Sequence, residues 1–161
     1  MTGHANSRSI VVGVDGSDAS AAALRWAAAQ AHALSAEVVA VHAWEATAPH
    51  IAPYAPAAER RTPAEEREAA ARRLAETLRL AFGQWGDRAV RAELVEGHAV
   101  RVLLDRARGA LMLAVGRSTH VQGGPPQVGP VGRECLRHAS VPVVAVPASE
   151  PDGPGSPARS V

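Results

Sequence analysis

The 161-residue chain contains no lysine, and all 17 of its basic side chains are arginine. That absence excludes a phosphate-gripping lysine of the P-loop kind and any chemistry through a lysine Schiff base. The single cysteine, Cys135, can close no internal disulfide and build no multi-cysteine metal site. Excess charge is missing too. A formal net charge of +1 gives no electrostatic case for nucleic acid or an anionic membrane as partner, and a small ligand fits better. No apolar run approaches the roughly 18 to 20 residues that span a bilayer. The opening MTGHANSRS lacks the apolar core of a signal peptide, so the expected location is cytoplasmic. The length suits one domain with a proper core.

What is present is a regular alternation of short apolar runs and helical stretches. SIVVGV (9–14) and EVVAVHA (37–43) are β-branched and apolar, as strands covered on both faces should be. Between them Ser17 or Asp18 can cap a helix whose Ala21, Leu24, Ala28 and Ala31 recur at helical spacing, to about His32. WEATAPHIAPYAPAAERRTP (44–63) carries repeated prolines and reads as a long surface loop of unassigned role. Pro63 opens a second helix with Leu74, Leu78, Phe82 and Trp85 on one face, ending near Gly86. AVRAELVE (89–96) alternates apolar and polar residues, as a half-exposed edge strand should. A helix over 99–108, the strand LMLAV (111–115), a glycine-rich loop, a helix over 131–138 and the strand VPVVAV (141–146) complete the pattern. The expected organisation is a flexible segment 1–8, a domain 9–147 and a disordered tail 148–161.

Strands alternating with helices of this length imply right-handed crossovers and a doubly wound, Rossmann-like α/β fold: a five-stranded parallel sheet with helices on both faces. In the common order 3-2-1-4-5 the alternating third strand falls at an edge, and the first and fourth flank the switch point. Asp15 and Gly116, at their carboxyl ends, then share one crevice. The last strand forms the other edge, yet VPVVAV carries no charge to guard it. The expectation is a homodimer, two copies pairing antiparallel through Val141, Val143, Val144, Ala145 and Val146.

VVGVDGSDAS, VVAVHAW, VGRS and GPVGRECLRHASVPVVAVP resemble the universal stress protein family over about Ser9 to Pro147. The resemblance implies the five-stranded order above, dimers through the last strand and, in one branch of the family, ATP held by a loop written G-x2-G-x9-G-[ST]. The other branch lacks the loop and binds no ATP. Here Gly116 is followed by Thr119 where the second glycine belongs, then nine residues, then Gly129 and Pro130; Gly132 stands where a small hydroxyl residue is usual. Glycine in such a loop lets backbone N–H groups approach phosphate, which Thr119 hinders. Pro130 offers neither an N–H nor a hydroxyl. Losing two or three hydrogen bonds to a charged group, at about 1.5 to 3 kcal/mol each, weakens binding on the order of a hundredfold. The N–H groups of Val131 and Gly132 still open a helix toward the crevice, and Arg117, Ser118, Thr119 and His120 offer donors, with Gly123 and Gly124 giving the loop freedom. The loop reads as a damaged phosphate cradle.

Single residues sort accordingly. The resemblance places Asp15 near ribose or phosphates, although a turn aspartate is the plain alternative, and places the backbone of Ala43 against adenine; Gly13 belongs to the same strand end. His42, His98 and His120 are scattered with no paired spacing, so no metal site is expected. Cys135 reads as a small buried thiol. The implied ligand is ATP or another adenine nucleotide, with Mg where it binds, or none at all. The first reading is a dimeric regulator or sensor that binds adenine nucleotide weakly. The second is an interaction module of the same fold without nucleotide. An enzyme is the weakest reading, since no base–nucleophile pair stands at recognisable spacing.

Overall fold

The computed structural model describes residues 8–47, 61–84, 86, 89–118 and 127–148. In chain order the elements are β1 (Ser9–Gly13), α1 (Asp18–Leu34), β2 (Glu37–Trp44), α2 (Pro63–Phe82), β3 (Val90–Glu96), α3 (Ala99–Ala107), β4 (Met112–Ser118), β5 (Gln127–Val128), α4 (Pro130–His138) and β6 (Val143–Pro147). The parallel strands lie in the order β3-β2-β1-β4-β6, which is the predicted five-stranded arrangement. The β-branched runs form strands because helices cover both faces of the sheet. Ile10, Val12, Val38, Ala40 and Ala114 face α1 and α2, where Leu24, Ala27, Ala31 and Leu74 meet them. Val11, Val39, Val41, Leu113 and Val115 face α3 and α4, against Val102, Leu103, Ala107 and Cys135. Each large aliphatic side chain so buried contributes about 1.5 to 3 kcal/mol before the entropy of ordering is subtracted.

Helix ends follow their sequence signals. Ser17 caps α1 by accepting from the Ser20 N–H at 3.1 Å. Thr62 and Glu65 form a reciprocal capping box ahead of Pro63, and Glu66 accepts from the Thr47 N–H at 2.8 Å, tying the end of the β2 exit to the first turn of α2. Leu74, Leu78 and Phe82 of the predicted stripe pack on the sheet; Trp85 lies outside the described residues.

The last two strands and the end of β4 differ from the sequence reading. β4 does not stop at Val115 but continues through Gly116, Arg117 and Ser118, because β6 pairs with it as far as Arg117. A sixth strand, β5, runs antiparallel to β4 at Arg117 and Ser118. Since β6 already occupies one edge of β4 there, β5 must take the edge that β1 holds lower down, filling in where β1 has ended. Val141, assigned to the last strand, precedes it and packs among the side chains under α3 and α4 instead.

The sheet's two outer edges contrast. Along β3, Arg91 reaches Glu37 and Glu93, each at 3.4 Å, and Arg106 reaches Glu93 at 3.0 Å. Such charges discourage edge-to-edge pairing. β6 presents Val143, Val144 and Ala145 half-buried, with no ion pair along it among the described residues.

Candidate functional site

A cavity of about 390 Å³ opens at the carboxyl ends of β1, β2 and β4, where the connection on one side of β1 runs to α1 and the strand on its other side feeds α4. This is the switch point of the sheet, the usual ligand position in such folds. One wall is the turn from β1 to α1. Gly16 turns the chain with φ 87°, a conformation that favours glycine. Asp15 accepts hydrogen bonds from both the N–H and the hydroxyl of Ser17. Burial raises the Asp15 pKa, but the bonds from Ser17, with help from the Ser20 hydroxyl, outweigh it and hold the carboxyl below its ordinary value. Asp15 is therefore a turn residue, as the plain reading has it, and at the same time a carboxylate on the rim of the cavity.

The opposite wall is the first turn of α4. Gly129 is its N-cap, in extended conformation and with no side-chain capping bond, and Pro130 is the first helical residue. Arg133 N–H is taken by the Gly129 carbonyl at 3.0 Å, which leaves the N–H groups of Val131 and Gly132 without a helical acceptor. They carry the positive end of the helix dipole into the cavity. Two further elements close the site. Val41, Ala43, Leu103 and Val115 make an apolar lining, while His42 and Arg73 add polar groups. The Arg73 stem lies over the bare backbone of Gly16, where a Cβ would come within 2.8 Å of its Cγ and Cδ.

Of the residues singled out from the sequence, the structure gathers Gly13, Asp15, Ala43, Gly116, Ser118, Gly129, Pro130, Val131 and Gly132 around this cavity. Arg117 is not brought in: it is absent from the lining, and its Nε is buried without a hydrogen-bond partner among the described residues. Thr119, His120, Gly123 and Gly124 lie outside the described residues. His42 and Arg73 were missed as site residues. The imidazole inside an otherwise apolar run was the available signal for His42; Arg73, on the exposed face of a charged helix, had none. No group of three or more His, Cys, Asp or Glu side chains that could hold a metal occurs among the described residues. Cys135 is fully buried, and burial, assisted by Glu134, pushes its thiol pKa up, away from the reactive thiolate.

The glycines are explained differently from the sequence reading. Gly116 sits inside β4, and a Cβ there would fall 2.5 Å from the Ala19 carbonyl carbon, so close packing of α1 requires it. At Gly132 a Cβ would fall 2.3 Å from Val128 Cγ1. The space of the usual hydroxyl side chain is thus filled by a valine from β5. Among the described glycines only Gly129 has open space and ordinary backbone angles, leaving its backbone bare toward the cavity.

These features define a doubly wound α/β protein with a ligand-sized cleft at its switch point. The universal stress protein family model matches residues 6–147, and the chain belongs to that family. Solved structures share the fold. A universal stress protein from Burkholderia pseudomallei is 24% identical with a TM-score of 0.62, over 88% of this chain and 96% of that one. One from Archaeoglobus fulgidus in complex with dAMP is 20% identical with a TM-score of 0.54, over 91% and 99%. Another universal stress protein, in complex with cAMP, is 24% identical with a TM-score of 0.53, over 88% and 98%. A search of curated proteins gave no match. No helix among the described residues is long and apolar enough to cross a membrane.

Proposed function

We propose that this protein binds an adenine nucleotide in the cleft and acts as a regulator or sensor, not as an enzyme. The observation that carries the reading is the cleft itself: an apolar lining beside two N–H groups without helical acceptors at the start of α4 and a carboxylate at the end of β1. The apolar part suits a purine, with the Ala43 backbone beside it. Val131 and Gly132 suit phosphate, and Asp15 suits the sugar, or Mg where a triphosphate brings one. Relatives of the same fold have been solved with cAMP and with dAMP, which supports an adenine ligand here.

Binding is weak on this reading, because Pro130 withholds an N–H and a hydroxyl from the first turn of α4. Titration calorimetry with ATP and AMP, with and without Mg, tests it: the expected result is one site per chain with affinity in the micromolar to millimolar range. No heat and no change in thermal midpoint at millimolar nucleotide would leave the second reading, an interaction module without nucleotide.

One observation favours that second role beside the first. β6 offers an uncharged outer edge, whereas β3 is laced with ion pairs. A twofold pairing of β6 with a second copy continues the sheet and covers that edge. Val144→Arg is expected to convert a dimer to monomer in sedimentation; an unchanged state would exclude this interface.

A further inference from the structure

We propose that His42 reads the sugar of the bound nucleotide, its Nε2 accepting a hydrogen bond from a ribose hydroxyl; this rests on the nucleotide reading above. His42 is only 6% exposed. Its Nδ1 lies 2.6 Å from the Val14 carbonyl oxygen. A carbonyl can only accept, so Nδ1 carries the hydrogen, and in the neutral ring Nε2 is then an acceptor. Nε2 has no protein partner among the described residues, although the ring lines the cavity. An acceptor without a donor among the described residues, on a ring that lines a ligand-sized space, is open to a donor from the occupant.

The nature of that donor follows from the neighbours. The bond to Val14 fixes the imidazole at the end of β1, one residue from Asp15, whose carboxylate spends one oxygen on Ser17 and keeps acceptor capacity. Two acceptors on one lip of the cavity match an occupant with two adjacent donors, which a vicinal diol provides and a phosphate does not. Val41, Ala43, Leu103 and Val115 line the apolar part, which takes the base.

The test compares ATP with 2′,3′-dideoxy-ATP by calorimetry on the wild-type protein, His42→Asn and His42→Gln. Asparagine overlays the Nδ1 side of the ring, so it retains the bond to Val14 while placing nothing at Nε2. Glutamine restores an acceptor near Nε2. The expected result is a preference for ATP that falls roughly three- to tenfold in His42→Asn, recovers partly in His42→Gln, and leaves dideoxy-ATP affinity unchanged. Equal weakening of both ligands in His42→Asn, or an unchanged preference, would overturn the assignment. So would an adenine-over-hypoxanthine preference that disappears in its place, since the donor would then be the base amine. Should the variants not fold, the ¹⁵N shift of Nε2 in the wild-type protein decides: it must move with ATP and not with the dideoxy analogue. Failure of the wild-type protein to bind ATP overturns the nucleotide reading and this inference together, whereas equal binding of the two nucleotides overturns this inference alone.

Discussion

The two walls of the cleft both end in a helix, yet their first turns are finished in opposite ways. At α1, Ser17 accepts from the Ser20 N–H and is itself held by Asp15, so a polar side chain and its partners close the turn. At α4, the cap is a glycine without a side-chain bond and the first helical residue is a proline. The first wall is complete within the protein, while the second leaves two donors for something else. A glycine cap forgoes only a few tenths of a kcal/mol relative to a side-chain cap, roughly 0.3. Leaving α4 bare is thus a small cost to the fold that a bound anion would offset.

Both walls also depend on a missing side chain, and here the largest effects are expected. Gly116→Val drives a Cβ into the Ala19 backbone, whose carbonyl carbon would lie 2.5 Å away. Backbone cannot turn aside as a side-chain tip can, so the expected loss is about 3 kcal/mol or more, read as a large fall in the urea midpoint. A near-native midpoint would mean that α1 has slack against β4. The same substitution would abolish any ligand binding for reasons of folding, so it is a poor probe of the proposed site.

On the other wall Gly132→Ser meets a single valine methyl, 2.3 Å from the new Cβ. A loss of about 2 kcal/mol is expected, and Val128→Ala in the same chain should return most of it. Chemical denaturation of the two single variants and the double variant measures the coupling. Strict additivity would break the argument that Val128 occupies the place of the missing hydroxyl residue.

How much of this was legible before the structure varies with the physics involved. β1, β2 and the parallel part of β4 are short apolar runs, as strands of a sheet covered on both faces should be, so the strands followed from pattern; their order did not, and the meeting of Asp15 with the β4 end rested on the order common to such sheets. β5 was invisible because two residues carry no period. The extension of β4 was hidden too, since Gly116, Arg117 and Ser118 have no strand preference and are held by pairing, Gly116 and Arg117 with β6 and Ser118 with β5. The glycines were the most misleading. Sequence marks a glycine without saying whether sterics, φ or a ligand demands it; around the cleft Gly116 answers to Ala19, Gly132 to Val128, and Gly16 to backbone conformation. His42 looked like a stray imidazole until its bond to Val14 showed which nitrogen was free.

A smaller effect should separate the walls by pH. The Asp15 pKa is lowered in the folded protein, so its contribution to stability is fully present above the ordinary carboxylate value and fades as pH falls through the folded value. Asp15→Ala is expected to cost about 1 kcal/mol at neutral pH and to flatten the stability profile between about pH 5 and pH 3. Substitutions on the α4 wall should leave that part of the profile unchanged. A profile identical in wild type and Asp15→Ala would show that Ser17 does not need its carboxylate.

The smallest change in stability belongs to Pro130→Ser, which sharpens the comparison by finishing the second wall. Proline at the first helical position lacks only an N–H that the helix would not use, so exchange for serine should move the unfolding free energy by less than about 0.5 kcal/mol. For an anion the difference is larger. Serine restores a backbone donor beside those of Val131 and Gly132 and adds a hydroxyl, both within the first turn where the dipole acts. One recovered charge-assisted hydrogen bond, at about 1.5 kcal/mol, strengthens ATP binding roughly tenfold, while adenosine, which has no phosphate, should gain nothing. Calorimetry with the two ligands separates these outcomes. A gain for adenosine as well would mean that Pro130 shapes the apolar lining, and no gain for either would place the phosphates away from α4 altogether.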